Sequence, residues 1–157
     1  MKNSRVSLFV FLAALLITSA CKTFEVKNVN YAQQVESVLI PTSEGEVNDS
    51  RYGISFNILP FQYKEFQDSS SVFVDEVRLI RNSNGFYFIT ATGFQNVYVM
   101  EPIKNGFRLK EKITVSEDGL KAPAFNLRSP FVQLIDTKTS EVYSLNEKGI
   151  KKEEKKS

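Results

Sequence analysis

From residue 50 onward, apolar and polar side chains alternate along most of this chain, the period-two signature of strands with one buried face. Ile54, Phe56 and Ile58 alternate with Ser55 and Asn57. Pro60 reads as the end or bend of that strand, with Phe61, Tyr63, Glu65 and Phe66 continuing it as an edge. A strand over 72–81 follows, then a turn at 82–85, where asparagine and glycine tolerate positive φ. The chain returns over 86–91, breaks at Gly93, and runs from 94 to 100 before Pro102. After a turn at 104–106 comes the clearest strand, in which Phe107, Leu109, Ile113 and Val115 alternate with Arg108, Lys110, Lys112 and Thr114. Glu111 interrupts its apolar face. An Asp-Gly turn at 118–119 closes it. Residues 120–127, interrupted by Pro123, read as an edge strand or extended loop, and 131–135 with 141–145 as a final hairpin. Upstream, 31–40 fits either a helix capped by Asn30 or a strand over 35–40, and the strand is preferred.

About eight to ten short strands, with turns every 8–12 residues and hardly a helix, predict an all-β fold: an antiparallel β-sandwich or barrel. The domain is expected over 35–147. Beyond it, 148–157 is almost entirely Lys and Glu and reads as a disordered tail.

The first twenty residues follow another pattern. Lys2 and Arg5 give a basic start, Leu8 to Ile17 is continuously apolar, and Thr18, Ser19 and Ala20 are comparatively small or polar. That is the order of a secretory signal, and the run is too short to cross a bilayer as a helix, which takes about twenty residues. Cys21, the single cysteine, stands directly behind it. Residues 1–21 resemble the signal of a bacterial lipoprotein. The resemblance implies a diacylglycerol on the Cys21 thiol, cleavage before it, a mature chain of 21–157 with a tether over 21–34, and a membrane as partner through that lipid. One position departs from the family's pattern: Thr18 stands where Leu, Val or Ile is usual. Lys22 follows the cysteine in place of aspartate, which by the same resemblance favours sorting to the outer membrane. No acidic cluster of the kind that sends some lipoproteins to the cell surface follows Cys21, so the periplasm-facing leaflet of the cell envelope is expected over the cell surface.

Composition narrows the chemistry. Without Lys2 and Arg5, the exported chain holds 18 basic and 18 acidic residues, and five of the basic ones lie in the last ten positions. The body over 21–147 is therefore slightly acidic, which argues against nucleic acid as a partner. There is no histidine, so the commonest general base, the Ser-His and Cys-His pairs and most zinc sites are absent. With Cys21 assigned to lipid, a disulfide within the domain and thiol catalysis go as well. No cofactor is expected.

Few residues remain as candidates. Arg108, Lys110 and Lys112 line one face of the clearest strand and suit phosphate, anionic glycan or lipid headgroups, although an outward basic stripe is also what a half-buried strand needs. Asp75 and Glu76 are paired carboxylates, the minimum for glycoside hydrolysis, but neighbours on a strand point to opposite faces. Glu44, Glu46, Asn48 and Asp49 offer oxygen for calcium without the glycine spacing of a calcium loop. Tyr52, Tyr63, Tyr87, Tyr98 and Tyr143 supply either core or an exposed aromatic platform. The serines at 69–71 read as loop.

The expected function is a lipid-anchored envelope protein that binds or scaffolds, with an envelope protein or a glycan as partner. The alternatives are a carbohydrate-active hydrolase using carboxylates alone and an accessory subunit of an envelope complex. An enzyme is not expected. At class level only, the chain resembles small envelope lipoproteins such as the β-barrel lysozyme inhibitors. Their disulfide cannot form here and their Ser-Gly-x-x-Tyr loop has no match, so none of their functional residues carries over.

Overall fold

The computed structural model describes residues 35–151, so Cys21, the signal, the tether and the last six residues lie outside the described part. Eleven antiparallel strands and one helix occupy it: β1 (Ser37–Leu39), β2 (Glu46–Asp49), β3 (Ile54–Asn57), α1 (Leu59–Phe66), β4 (Val77–Arg81), β5 (Tyr87–Ala91), β6 (Asn96–Ile103), β7 (Gly106–Thr114), β8 (Pro123–Arg128), β9 (Phe131–Asp136), β10 (Glu141–Asn146) and β11 (Gly149–Ile150). They build a five-stranded sheet in the order β1-β4-β5-β6-β7, a four-stranded sheet in the order β11-β10-β9-β8, and a separate β2-β3 hairpin. The fold is all-β and sandwich-like, and no sheet among the described residues closes into a barrel.

Alternation along the central strands explains the layering. On one face of the five-stranded sheet, Ile80, Phe88, Val97, Val99 and Ile113 pack against Phe125, Val132, Leu134 and Leu145 of the four-stranded sheet. On the other, Val77, Leu79, Ile89 and Tyr98 lie under Val47, Ile58, Val74 and Phe94. The central sheet is thus covered twice, and all five residues of β5 are buried. Each fully buried Leu, Ile or Phe contributes about 1.5–3 kcal/mol.

Several expectations are corrected. Residues 59–66 form a helix, because Pro60 sits in its first turn, where proline's missing N–H costs no bond. The Asn57 side chain accepts from the Leu59 N–H at 2.8 Å and donates to the Glu44 carbonyl at 2.8 Å, fixing the strand-to-helix corner. Of 72–81, only Val77–Arg81 is strand. Val72–Glu76 runs without a ladder, so Asp75 and Glu76 lie outside any strand, and Glu76 accepts from Arg78 at 2.7 Å. Strand β6 continues through Pro102, which pairs with Phe107. Strand β2 went unread, since only Val47 and Asp49 of its four residues face inward. Gly149 and Ile150, placed in the tail by composition, add a short strand to β10.

The interruption at Glu111 has a cause. The β6-β7 register shifts between Val99 and Met100, whose partners are Glu111 and Leu109, so Lys110 is an extra residue. A bulge of this kind reverses the side-chain alternation beyond it. Phe107 accordingly packs on the hairpin side while Ile113 packs toward the second sheet.

Half-buried and buried polar groups tie the layers together. Glu36 accepts from the Phe125 N–H on edge strand β8 at 2.8 Å and meets Arg78 at 3.4 Å, joining the two sheets. Burial pushes its carboxyl above the usual range, against the lowering by the Phe125 bond and Arg78. Glu65 of α1 accepts from the Gln95 N–H (2.7 Å), the Asn96 amide (2.9 Å) and the Tyr98 hydroxyl (2.6 Å), docking the helix on β6. Burial, then this carboxylate, pushes the Tyr98 hydroxyl far above the ordinary tyrosine range. Gln62, fully buried, donates to the Asp68 and Ser71 carbonyls (3.1 and 2.8 Å) and accepts from the Phe73 N–H (3.1 Å). It pins the serine-rich loop.

Candidate functional site

Where the β2-β3 hairpin leans over the central sheet, the two do not close fully. A cavity of about 250 Å³ remains, lined by Ile54, Ser55 and Phe56 of β3, Phe61 of α1, Tyr87 and Ile89 of β5, Met100 of β6, and Gly106 and Phe107 of β7. Alternation places Ile54 and Phe56 inward, and the strand-to-helix corner brings Phe61 beside them. Tyr87 stands edge-on to Phe107 at 5.0 Å and to Tyr52 at 5.4 Å, and Phe61 edge-on to Phe56 at 6.0 Å and Tyr98 at 4.9 Å. Edge-to-face contacts of this kind hold aromatic walls in fixed orientation. The lining contains no charged side chain. Such a surface suits apolar matter, with the hydroxyls of Ser55 and Tyr87 as the polar side-chain groups of its lining.

A second cleft, of about 280 Å³, is polar. Glu117, Asp118, Lys121, Asp136, Thr139, Glu141 and Tyr143 are among its walls. Its buried carboxylate is already used: Asp136 accepts from the N–H groups of Lys121 (2.6 Å), Ala122 (3.1 Å) and Lys138 (3.1 Å). Burial alone pushes that carboxyl up, but these backbone donors and Thr139 together outweigh it and hold it below the usual range. Asp136 therefore ties the segment leading into β8 to the β9-β10 turn through its carboxylate.

The candidates from sequence are scattered. Arg108 pairs with Glu101. Because the bulge at Lys110 lies between them, Arg108 and Lys112 project from opposite faces, and the three cations do not form one stripe. Glu44 hydrogen-bonds Ser43 and is exposed, Glu46 and Asn48 face outward, and Asp49 faces inward to accept from the Arg51 N–H, so the four oxygen donors do not converge. Among the described residues no group of three or more acidic residues is placed to hold a metal ion. Tyr87 and Tyr98 are core, whereas Tyr63, Phe66 and Phe73 are exposed on α1 and its loop, with Phe66 and Phe73 in contact at 5.1 Å. The 250 Å³ cavity was missed because its lining residues come from five elements and each follows the same pattern as a core residue. Set against protein-family models, curated proteins and solved structures, the chain matches none.

Proposed function

We propose that this chain is a lipid-anchored binding module of a bacterial envelope, held to the periplasm-facing leaflet through Cys21 and binding through the apolar pocket under the hairpin. The address is supported by the basic, apolar and cleavage-type segments that end at Cys21. One observation carries the binding role: a pocket of about 250 Å³ walled by Phe56, Phe61, Tyr87 and Phe107 and free of charged side chains in its lining. An aromatic, preformed concavity of this kind is the usual form of a site for apolar matter. Catalysis by carboxylates finds no support in that lining. A role as accessory subunit is favoured by a separate observation, the exposed aromatics Tyr63, Phe66 and Phe73, which suit a protein partner.

Fractionation tests the address. Cys21→Ser is expected to move the protein from the membrane to the soluble fraction, and continued membrane retention with unchanged mobility would refute the anchor. A benzophenone side chain at Ser55, on the pocket wall, is expected to give a discrete adduct on irradiation of intact cells. The same group at Lys138, in the remote β9-β10 turn, is expected to give none. Indistinguishable results at the two positions would remove the pocket from the function.

A further inference from the structure

The row of side chains across the pocket floor indicates what kind of molecule it takes. Arg81 of β4 pairs with Tyr87 of β5, Tyr87 with Met100 of β6, and Met100 with Leu109 of β7. Residues paired in this way stand side by side on one face of a sheet, here the face that carries the cavity. With strands about 4.8 Å apart, Arg81 lies about 10 Å from Met100 across that floor.

Arg81 differs from Arg78 and Arg108, whose charge carboxylates occupy, from Arg51, which donates to the Val35 and Glu36 carbonyls, and from the exposed Arg128. Arg78 sits between Glu36 and Glu76, and Arg108 against Glu101. Among the described residues no carboxylate lies within 4.0 Å of the Arg81 guanidinium. Its Nε is buried without a hydrogen-bond partner, and its guanidinium carbon lies 5.6 Å from the centroid of the Tyr87 ring, a wall of the cavity. Asp49, whose Oδ2 is also buried without a partner, gives its other oxygen to the Arg51 and Tyr52 N–H groups. Arg81 as a whole is half-buried, so an anion beside the Tyr87 wall can accept from the outer N–H groups of its guanidinium.

We infer that the pocket takes a monoanionic amphiphile. Its apolar end lies among Ile54, Phe56, Phe61, Met100 and Phe107, and its anionic head accepts from Arg81 at the edge of the Tyr87 ring. The inference rests on the pocket being the binding surface proposed above. Size and charge both point this way. The cavity exceeds the roughly 150 Å³ that holds a benzene ring in an apolar core, and an uncharged lining with a carboxylate-free guanidinium next to its Tyr87 wall complements an apolar body ending in one negative charge.

The chain contains two methionines, Met1 and Met100, so a methyl-labelled methionine NMR spectrum of the full chain has two signals, and the one from Met100 reports on the pocket floor. Decanoate, decanol and decyltrimethylammonium, each below its micelle concentration, serve as anionic, neutral and cationic probes of equal tail length. Decanoate is expected to shift the Met100 methyl saturably and to bind about tenfold or more tighter than decanol, with the cation weakest. Arg81→Gln should reduce decanoate to the affinity of decanol and leave decanol unchanged, whereas Arg81→Lys should keep the preference for the anion. Equal binding of decanoate and decanol to the native chain overturns the anionic head and leaves the pocket standing. So does a loss in Arg81→Gln shared by both probes. No Met100 response to any probe overturns the pocket and the inference together. If Arg81→Gln fails to fold, Arg81→Lys and the three-probe comparison on the native chain decide.

Discussion

Replacing Gln62 by leucine should weaken the fold by about 3 kcal/mol and do so through one loop. The side chain is fully buried, and all three of its hydrogen bonds go to backbone groups of the segment after α1: the Asp68 and Ser71 carbonyls and the Phe73 N–H. Leucine matches its volume closely, so the change removes polar partners without opening a large cavity. Three backbone groups then lose their partners, at about 1–3 kcal/mol for each that stays buried. Because the loop runs at the surface, water rescues some of them, and a total near 3 kcal/mol follows. That is a large share of the roughly 5–15 kcal/mol that holds a domain together, and it corresponds to a fall in Tm of about 10 °C. Urea unfolding gives the energy, and amide exchange gives the location, with Phe73 losing protection first. A loss below about 1 kcal/mol with Phe73 protection unchanged would show that Gln62 fills space and organises nothing.

Gly119 has φ +74, and a methyl group there would overlap the Gly93 carbonyl oxygen, so Gly119→Ala should cost about 2 kcal/mol or more. Gly53, with φ +63 but open space around it, supplies the comparison: Gly53→Ala should cost about 1 kcal/mol, and thermal unfolding ranks the two. Asp136 is held below its ordinary range in the fold. Its contribution is therefore complete above the unfolded value of about 3.9 and is lost as pH falls through the folded value. Asp136→Asn should flatten the acid limb of stability against pH, and an unchanged limb in urea titrations between pH 7 and 2.5 would contradict the assignment.

How far the sequence reached depended on whether a residue's partner was near it along the chain. Turns at 82–85 and 104–106, the hairpin from Phe131 to Asn146 and the strand through Phe107 were legible because local alternation and glycine chemistry specify them. The helix at Leu59–Phe66 was not, since eight residues with a proline second among them support either period, and tertiary contacts of Gln62 and Glu65 decide the matter. Nor was the bulge at Lys110: Glu111 showed that something broke the alternation, but only the register with β6 shows that the strand changes faces. The pocket was least legible. Tyr87, Met100 and Phe107 look like core in sequence, and Arg81 like any solvent-facing cation, until the ladder sets Arg81 beside Tyr87 and Tyr87 beside Met100.

The Glu36 carboxylate on the Phe125 N–H also bears on how copies of this protein meet. An uncovered strand edge invites a neighbour to continue the sheet, the route to cross-β growth. Glu36 occupies a donor on β8, the bulge and the lysines interrupt β7, and β1 and β11 are three and two residues long. Crowded copies therefore find little rim on which to zip together. Any partner that assembles with this domain has to read a face of it, and a mutation at Glu36 would turn a quiet edge into a sticky one.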